Sequence, residues 1–297
     1  MRRGLGGYTD CQRMLARENY EDACLNERLN PEKLAARYKR RQALLDSMGV
    51  KPRIAIAQLF AGRYFTIHGT PSYCFLRLEL FDKKGVISRL CHNCFTVQIL
   101  PLDVVALVQI YFAIRGMDLP WDNYRKCMVE LREDVAYPYK GYIFCESVDE
   151  AKECLTRLRQ TLSTYQISNV YCGISHGCSE YGLKYPKFKF SEDGSHQSFE
   201  RPVSWDQTEA EFFSEAPIPQ SFHKDFNHKG VTLRDVIAFR TWVDYAEIIG
   251  DHSCKTFRDT TNGDKPEPFA TRIKNQSRQR RAQMADLGNI LSSVPVT

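Results

Sequence analysis

A chain of 297 residues can bury the core of one large domain or two modest ones, and its 43% hydrophobic and 26% charged content excludes a disordered polymer. A formal charge of +5 admits an anionic partner without requiring one. Eleven cysteines, an odd number scattered along such a chain, argue against a disulfide framework and for a reducing compartment.

The first residues, Met1 to Gly7, are basic, but no apolar stretch follows of the kind a secretory signal needs. The longest apolar run, Val104 to Ile114, is interrupted by Gln109 and is too short to span a bilayer. The expectation is a soluble cytoplasmic protein with no membrane partner.

Residues 9–49 read as two helices. The second starts with Asn30 as cap and Pro31 in its first turn, and carries Leu34, Tyr38, Leu45 and Met48 on one face. Its other face holds Arg37, Lys39, Arg40 and Arg41, which can meet phosphates or simply face solvent.

Residues 53–100 read as antiparallel strands. Cys74, Leu76, Leu78 and Leu80 alternate with Arg77 and Glu79 across Tyr73 to Phe81, and Asp82 to Gly85 supplies a turn. Val86 to Leu90 returns, and Phe95 to Leu100 adds another strand. Between these strands lies Cys91-His-Asn-Cys94, a spacing that lets one knuckle aim two sulfurs at one metal.

Leu102 to Arg115 is apolar nearly all round, which predicts a buried helix. Pro120 is expected to start another, with Trp121, Tyr124, Met128 and Leu131 on one face. The clearest unit is Gly141 to Phe190. Tyr142 to Cys145 is a strand, and Ser147 with Glu150 forms a capping box. Apolar positions from Val148 to Tyr165 then make a helical stripe, and Ile167 to Ile174 is a second strand. Strand, helix and strand of this size predict parallel strands joined by a right-handed crossover.

That second strand runs into Cys172-Gly-Ile-Ser-His176-Gly-Cys178, a stretch with two thiols and an imidazole. Ligands often sit beyond the carboxyl ends of strands, so it is a place to expect a site. One reading is a four-ligand zinc site in which Cys91 and Cys94 combine with Cys172 and Cys178, or with His176. Another is a Cys/His-dependent enzyme with a thiol nucleophile and His176 as base. The structural alternative is a buried thiol and a hydrogen-bonded imidazole.

Residues 191–230 are polar and punctuated by proline, which suggests a linker or long loop that could dock a protein partner. Leu233 to Ile249 is a helix. The most concentrated basic segment follows, with Lys274, Arg278, Arg280 and Arg281. It reads as a polyanion contact or a solvated tail. The P-loop, dinucleotide, zincin, nucleophile-elbow, kinase and zinc-deaminase signatures are all missing.

The fold expected is α+β: a mixed central sheet with packed helices, an N-terminal helical pair and a helical C-terminal region with a basic tail. Its divisions are residues 1–50, 51–190, 191–230 and 231–297. The function expected is nucleic-acid binding without catalysis, with Arg278, Arg280, Arg281, Lys274, Arg40 and Arg41 on phosphates. Zinc is the one cofactor the sequence suggests.

Overall fold

The computed structural model describes residues 30–47, 65–68, 74–188, 199–215, 233–257 and 270–293. The expected first helix and residues 53–60 of the expected antiparallel strands lie outside them. The described chain opens with α1 (Pro31–Ser47), β1 (Phe65–His68), α2 (Cys74–Lys84) and the short α3 (Arg89–His92). Asn30 caps α1 as expected, its Oδ1 accepting from Lys33 N at 3.1 Å.

The centre of the molecule follows: β2 (Phe95–Pro101), α4 (Val104–Gly116), β3 (Arg125–Val129), β4 (Tyr139–Cys145), α5 (Val148–Thr164) and β5 (Val170–His176). After it come α6 (Ser179–Lys184), α7 (Ser204–Glu215), α8 (Leu233–Ile249), a 3-10 turn at His252–Thr256, and α9 (Ala270–Ser293).

The sheet has five strands in the order β1-β3-β4-β2-β5. All four ladders are antiparallel. The strands that α5 joins, β4 and β5, therefore run the same way with β2 between them. This is the split β-α-β, or ferredoxin-like, arrangement. The fold is α+β, with helices packed on a central sheet and a helical C-terminal region.

Alternation along the strands gives the sheet two faces. Phe95, Val97 and Ile99 of β2, Val129 of β3 and Tyr139, Ile143 and Cys145 of β4 belong to one large core with α4, α5 and α8. The helix α4 comes close because Gly141 has no side chain: a Cβ there would stand 3.1 Å from Ile99 Cβ and 3.2 Å from Ile110 Cγ2. Asp251, after α8, accepts from Val104 N at 2.8 Å and from the Tyr139 hydroxyl at 2.6 Å. It ties the start of α4 to β4.

The capping box forms with one variation. Ser147 Oγ accepts from Glu150 N at 3.1 Å, but the Glu150 carboxylate reaches back to Glu146 N, at 2.7 Å.

Three stretches differ from their reading. Val86 to Leu90, expected as a returning strand, is irregular chain that enters α3, because α2 is a helix and offers it no strand edge to pair with. The alternation over Tyr73 to Phe81 predicts a strand, and α2 forms instead. Its Leu, Arg, Glu and Lys residues are good helix formers, it has no β-branched residue, and Glu79 pairs with Lys83 at 2.7 Å one turn on. The stretch after Pro120 is predicted helical, yet Arg125 to Val129 is β3, hydrogen-bonded between β1 and β4. Trp121, assigned to a core face, is 69% exposed.

A smaller core joins α2, α3, α6 and α7 through Phe81, Ile87, Cys91, Tyr181 and Phe188, with Phe199 and Trp205 against it. Thus part of the stretch expected as a linker is a packed helix. Glu209 of α7 anchors it by accepting from Ser88 Oγ at 2.6 Å and Arg89 N at 3.0 Å, at the start of α3. No helix among the described residues is long and apolar enough to cross a membrane.

Candidate functional site

The second face of the sheet carries a different chemistry. Thr96, Gln98 and Leu100 of β2 alternate with the core residues, as do Lys126 and Met128 of β3 and Lys140, Tyr142 and Phe144 of β4. Gln98, Tyr142 and Lys126 stand in one cross-strand row, and Met128 stands opposite Lys140. Tyr124, Phe144 and Tyr142 form a contiguous aromatic row, with centroids 5.1 Å apart for the first pair and 5.9 Å for the second. All three are half-buried.

Charged groups gather at one end of this face. Glu130 is 1% exposed and Lys140 is 2% exposed. Arg132 closes on Glu130 with Nε 2.8 Å from Oε1 and Nη2 2.7 Å from Oε2, and its other Nη pairs with Glu180 of α6. Burial pushes the Glu130 carboxyl up, but the Arg132 hydrogen bonds and charge outweigh it and hold it below the usual range. Burial lowers Lys140 to about 8, with Glu130 pulling the other way. Burial also lowers Lys126, against the attraction of Glu180. The Tyr142 phenol, beside Ser179, is raised by burial. Burial and ion pairing thus perturb several titratable groups on one face, which makes it a candidate site.

The expected basic residues divide. Lys274, Arg278 and Arg281 are exposed on α9, and Arg281 also donates to the Ile249 carbonyl at 3.3 Å. Arg280 is 0% exposed. It donates to the carbonyls of Val135 at 2.8 Å, Glu130 at 3.2 Å and Arg132 at 2.5 Å. It is the clamp of the β3–β4 loop and cannot reach a phosphate. Arg40 is exposed on α1, and the side chain of Arg41 is outside the described set. The basic segment is one continuous helix packed on α8.

The cysteines regroup as well. Cys91, Cys94 and Cys178 come within electrostatic reach of one another and of Cys74, which the zinc reading omitted. Cys172 lies four residues before His176 on β5 and packs on the main core instead. His176 is stacked between Phe95 (4.8 Å) and Phe188 (4.0 Å), and its Nε2 donates to the His92 carbonyl at 2.5 Å. Among the described residues, no group of three or more His, Cys, Asp or Glu converges to hold a metal. Burial raises the Cys94 and Cys172 thiols to about 12 and holds Cys178 well above its usual value, so at neutral pH they are protonated and poor nucleophiles.

Reading β3 as a helix hid the charged cluster. The signal available was a lysine inside the otherwise apolar and aromatic run Tyr139 to Cys145.

A groove of about 600 Å³ lies elsewhere, between the end of α4 and α5. Its Arg157 is spent on Glu153 and on the Asp118 carbonyl. Comparison with known proteins gives no matching family model, no similar curated protein and no similar solved structure.

Proposed function

We propose that the protein binds single-stranded nucleic acid, without catalysis, across the second face of its sheet. The observation that carries this reading is the half-buried row Tyr124, Phe144 and Tyr142 flanked by Lys126. Bases of any sequence stack on aromatic rings while lysines meet the backbone, and four-stranded sheets of this connectivity can present such rings to RNA. A duplex would keep its bases stacked on each other and out of reach of the row. The exposed Lys274 and Arg278 of α9 add phosphate contacts that hold a strand without reading it.

The test is equilibrium binding of the full chain to labelled single- and double-stranded DNA and RNA across a salt series. Single strands should bind more tightly than duplexes, with affinity falling steeply as salt rises. Phe144→Leu keeps an apolar side chain and loses the stacking surface, and should weaken single-strand binding by about tenfold. Changing Lys274 and Arg278 together to Gln should flatten the salt slope by roughly 1.4, two contacts at about 0.7 each. Binding indifferent to salt and to Phe144→Leu would end this reading.

A further inference from the structure

Of the three tryptophans, Trp242 is buried in the main core and Trp205 packs on the smaller one, whereas Trp121 is 69% exposed. Its turn is braced on both sides. Before it, Arg125 donates to the Met117 carbonyl and Arg157 to the Asp118 carbonyl, each at 3.1 Å. After it, Asn123 N donates to the Trp121 carbonyl at 2.7 Å, and the buried Asn123 side chain donates to the Phe144 carbonyl at 3.0 Å and to Glu150 at 2.5 Å. A large ring held out on a braced turn suits an interface anchor, because the turn has little freedom left to lose on binding.

The groove of about 600 Å³ between the end of α4 and α5 reaches the same turn through Met117 and Asp118. Asp118 is three residues from Trp121, at most about 11 Å along the chain. Thr156, Thr161 and Thr164 line the groove, but each hydroxyl donates to a carbonyl of its own helix at 2.9 Å. That leaves their methyls, with Ala113 and Met117, to meet a ligand. The charge here opposes that of the chain. Residues 117–125 and 146–157 carry six carboxylates against three cations, a net −3 on a chain of +5. Two of the cations are spent, Arg125 on backbone carbonyls and Arg157 on Glu153 and the Asp118 carbonyl. The next cation, Arg159, lies toward Cys172 of β5.

We propose that Trp121 and this groove dock a basic polypeptide segment, one that carries arginine or lysine next to apolar side chains. The inference goes beyond strand binding and does not depend on it. Tryptophan is the ring that best attracts a cation to its face, and a guanidinium also stacks on it. Asp118 lines the groove and stands three residues from the ring, so a cation held at Trp121 and Asp118 leaves its apolar neighbours to the groove. The surrounding carboxylates speed encounter with a basic segment and select against an acidic one. The same charge repels phosphates, which argues against a nucleic-acid strand at this ring.

The experiment titrates the full chain with three labelled probes: a short soluble peptide of Arg, Leu and Ser, its counterpart with Glu in place of Arg, and a single-stranded oligonucleotide. Acrylamide quenching of tryptophan emission is followed alongside, since Trp121 is the exposed indole. The Arg peptide should bind saturably and shield Trp121 from acrylamide, and the Glu peptide should do neither. Trp121→Ala and Asp118→Asn should each weaken the Arg peptide by about tenfold. Both side chains are exposed, so the urea midpoint of each variant should match the parent. Equal binding of the two peptides, or Arg-peptide binding unchanged in Trp121→Ala, would overturn the docking assignment. Shielding of Trp121 by the oligonucleotide and not by the peptide would give the ring to the strand site and overturn it as well. Peptide binding that depends on Trp121, with no oligonucleotide binding at low salt, would support the docking site while ending the strand reading.

Discussion

Arg132 grips both carboxylate oxygens of Glu130, and that grip leaves Lys140 near a negative charge it does not contact. The consequence is measurable as pH dependence. Burial brings the Lys140 ammonium down from 10.5 to about 8, so between those values the folded chain binds fewer protons than the unfolded one. Stability contributed by this group therefore rises with pH across that window, by up to about 3 kcal/mol. Below about pH 8 both states are protonated and the full cost of burying the charge is present. Buried thiols such as Cys94 act in the opposite sense, because their raised values favour the folded state less as the unfolded thiols ionise. The quantity to measure is thus the difference between the parent and Lys140→Met in denaturant unfolding at pH 7 and pH 10. Lys140→Met should be the more stable at pH 7, and the gap should shrink by pH 10. A gap that does not change with pH would refute the assignment.

Arg280 and Arg278 are two residues apart on α9 and should behave differently. Arg280→Ala leaves the carbonyls of Val135, Glu130 and Arg132 without their buried donor and should cost about 3–5 kcal/mol. Arg278→Ala removes an exposed side chain and should stay within about 0.5 kcal/mol. Urea unfolding of both variants decides it. Equal effects would remove Arg280 from its clamping role.

His176 is expected to be structural. Replacing it with Ala removes a ring stacked between Phe95 and Phe188 and a donor to the His92 carbonyl, and should cost about 2–4 kcal/mol. Single-strand affinity of the folded variant should be unchanged at a temperature well below its unfolding. A His176→Ala protein of full stability with lost binding or lost metal would return attention to the Cys172–Cys178 loop.

Glu209 makes a local prediction. Its carboxylate serves Ser88 Oγ, Arg89 N and Arg201 Nη2, so Glu209→Ala should release α7 from α3. Amide exchange should speed in α7 while α4 and α5, in the separate main core, keep their protection. Uniform acceleration over all helices would instead mean that the two cores unfold as one.

How much of this was legible beforehand depended on whether a segment carried its own signal. The apolar helix α4, the capping box and stripe of α5 and the strands β2, β4 and β5 were readable, because spacing and cap chemistry act over a few neighbouring residues. The basic residues of α9 were readable as a group, but not their division. On a helix packed against α8, Lys274 and Arg278 stay exposed whereas Arg280 turns toward the β3–β4 loop, and what that loop offers is set 145 to 150 residues away.

Sequence by itself determined the α+β class, the position of the central strand–helix–strand unit and the absence of a long apolar helix among the described residues, all of which follow from local periodicity. Tertiary structure alone decided that β2 inserts between β4 and β5, that Arg125 to Val129 is a strand, and that Lys126 and Lys140 share a face with Tyr142 and Phe144. Strand pairing and face sharing are contacts between distant segments, and no pattern along one segment records which partner will lie beside it.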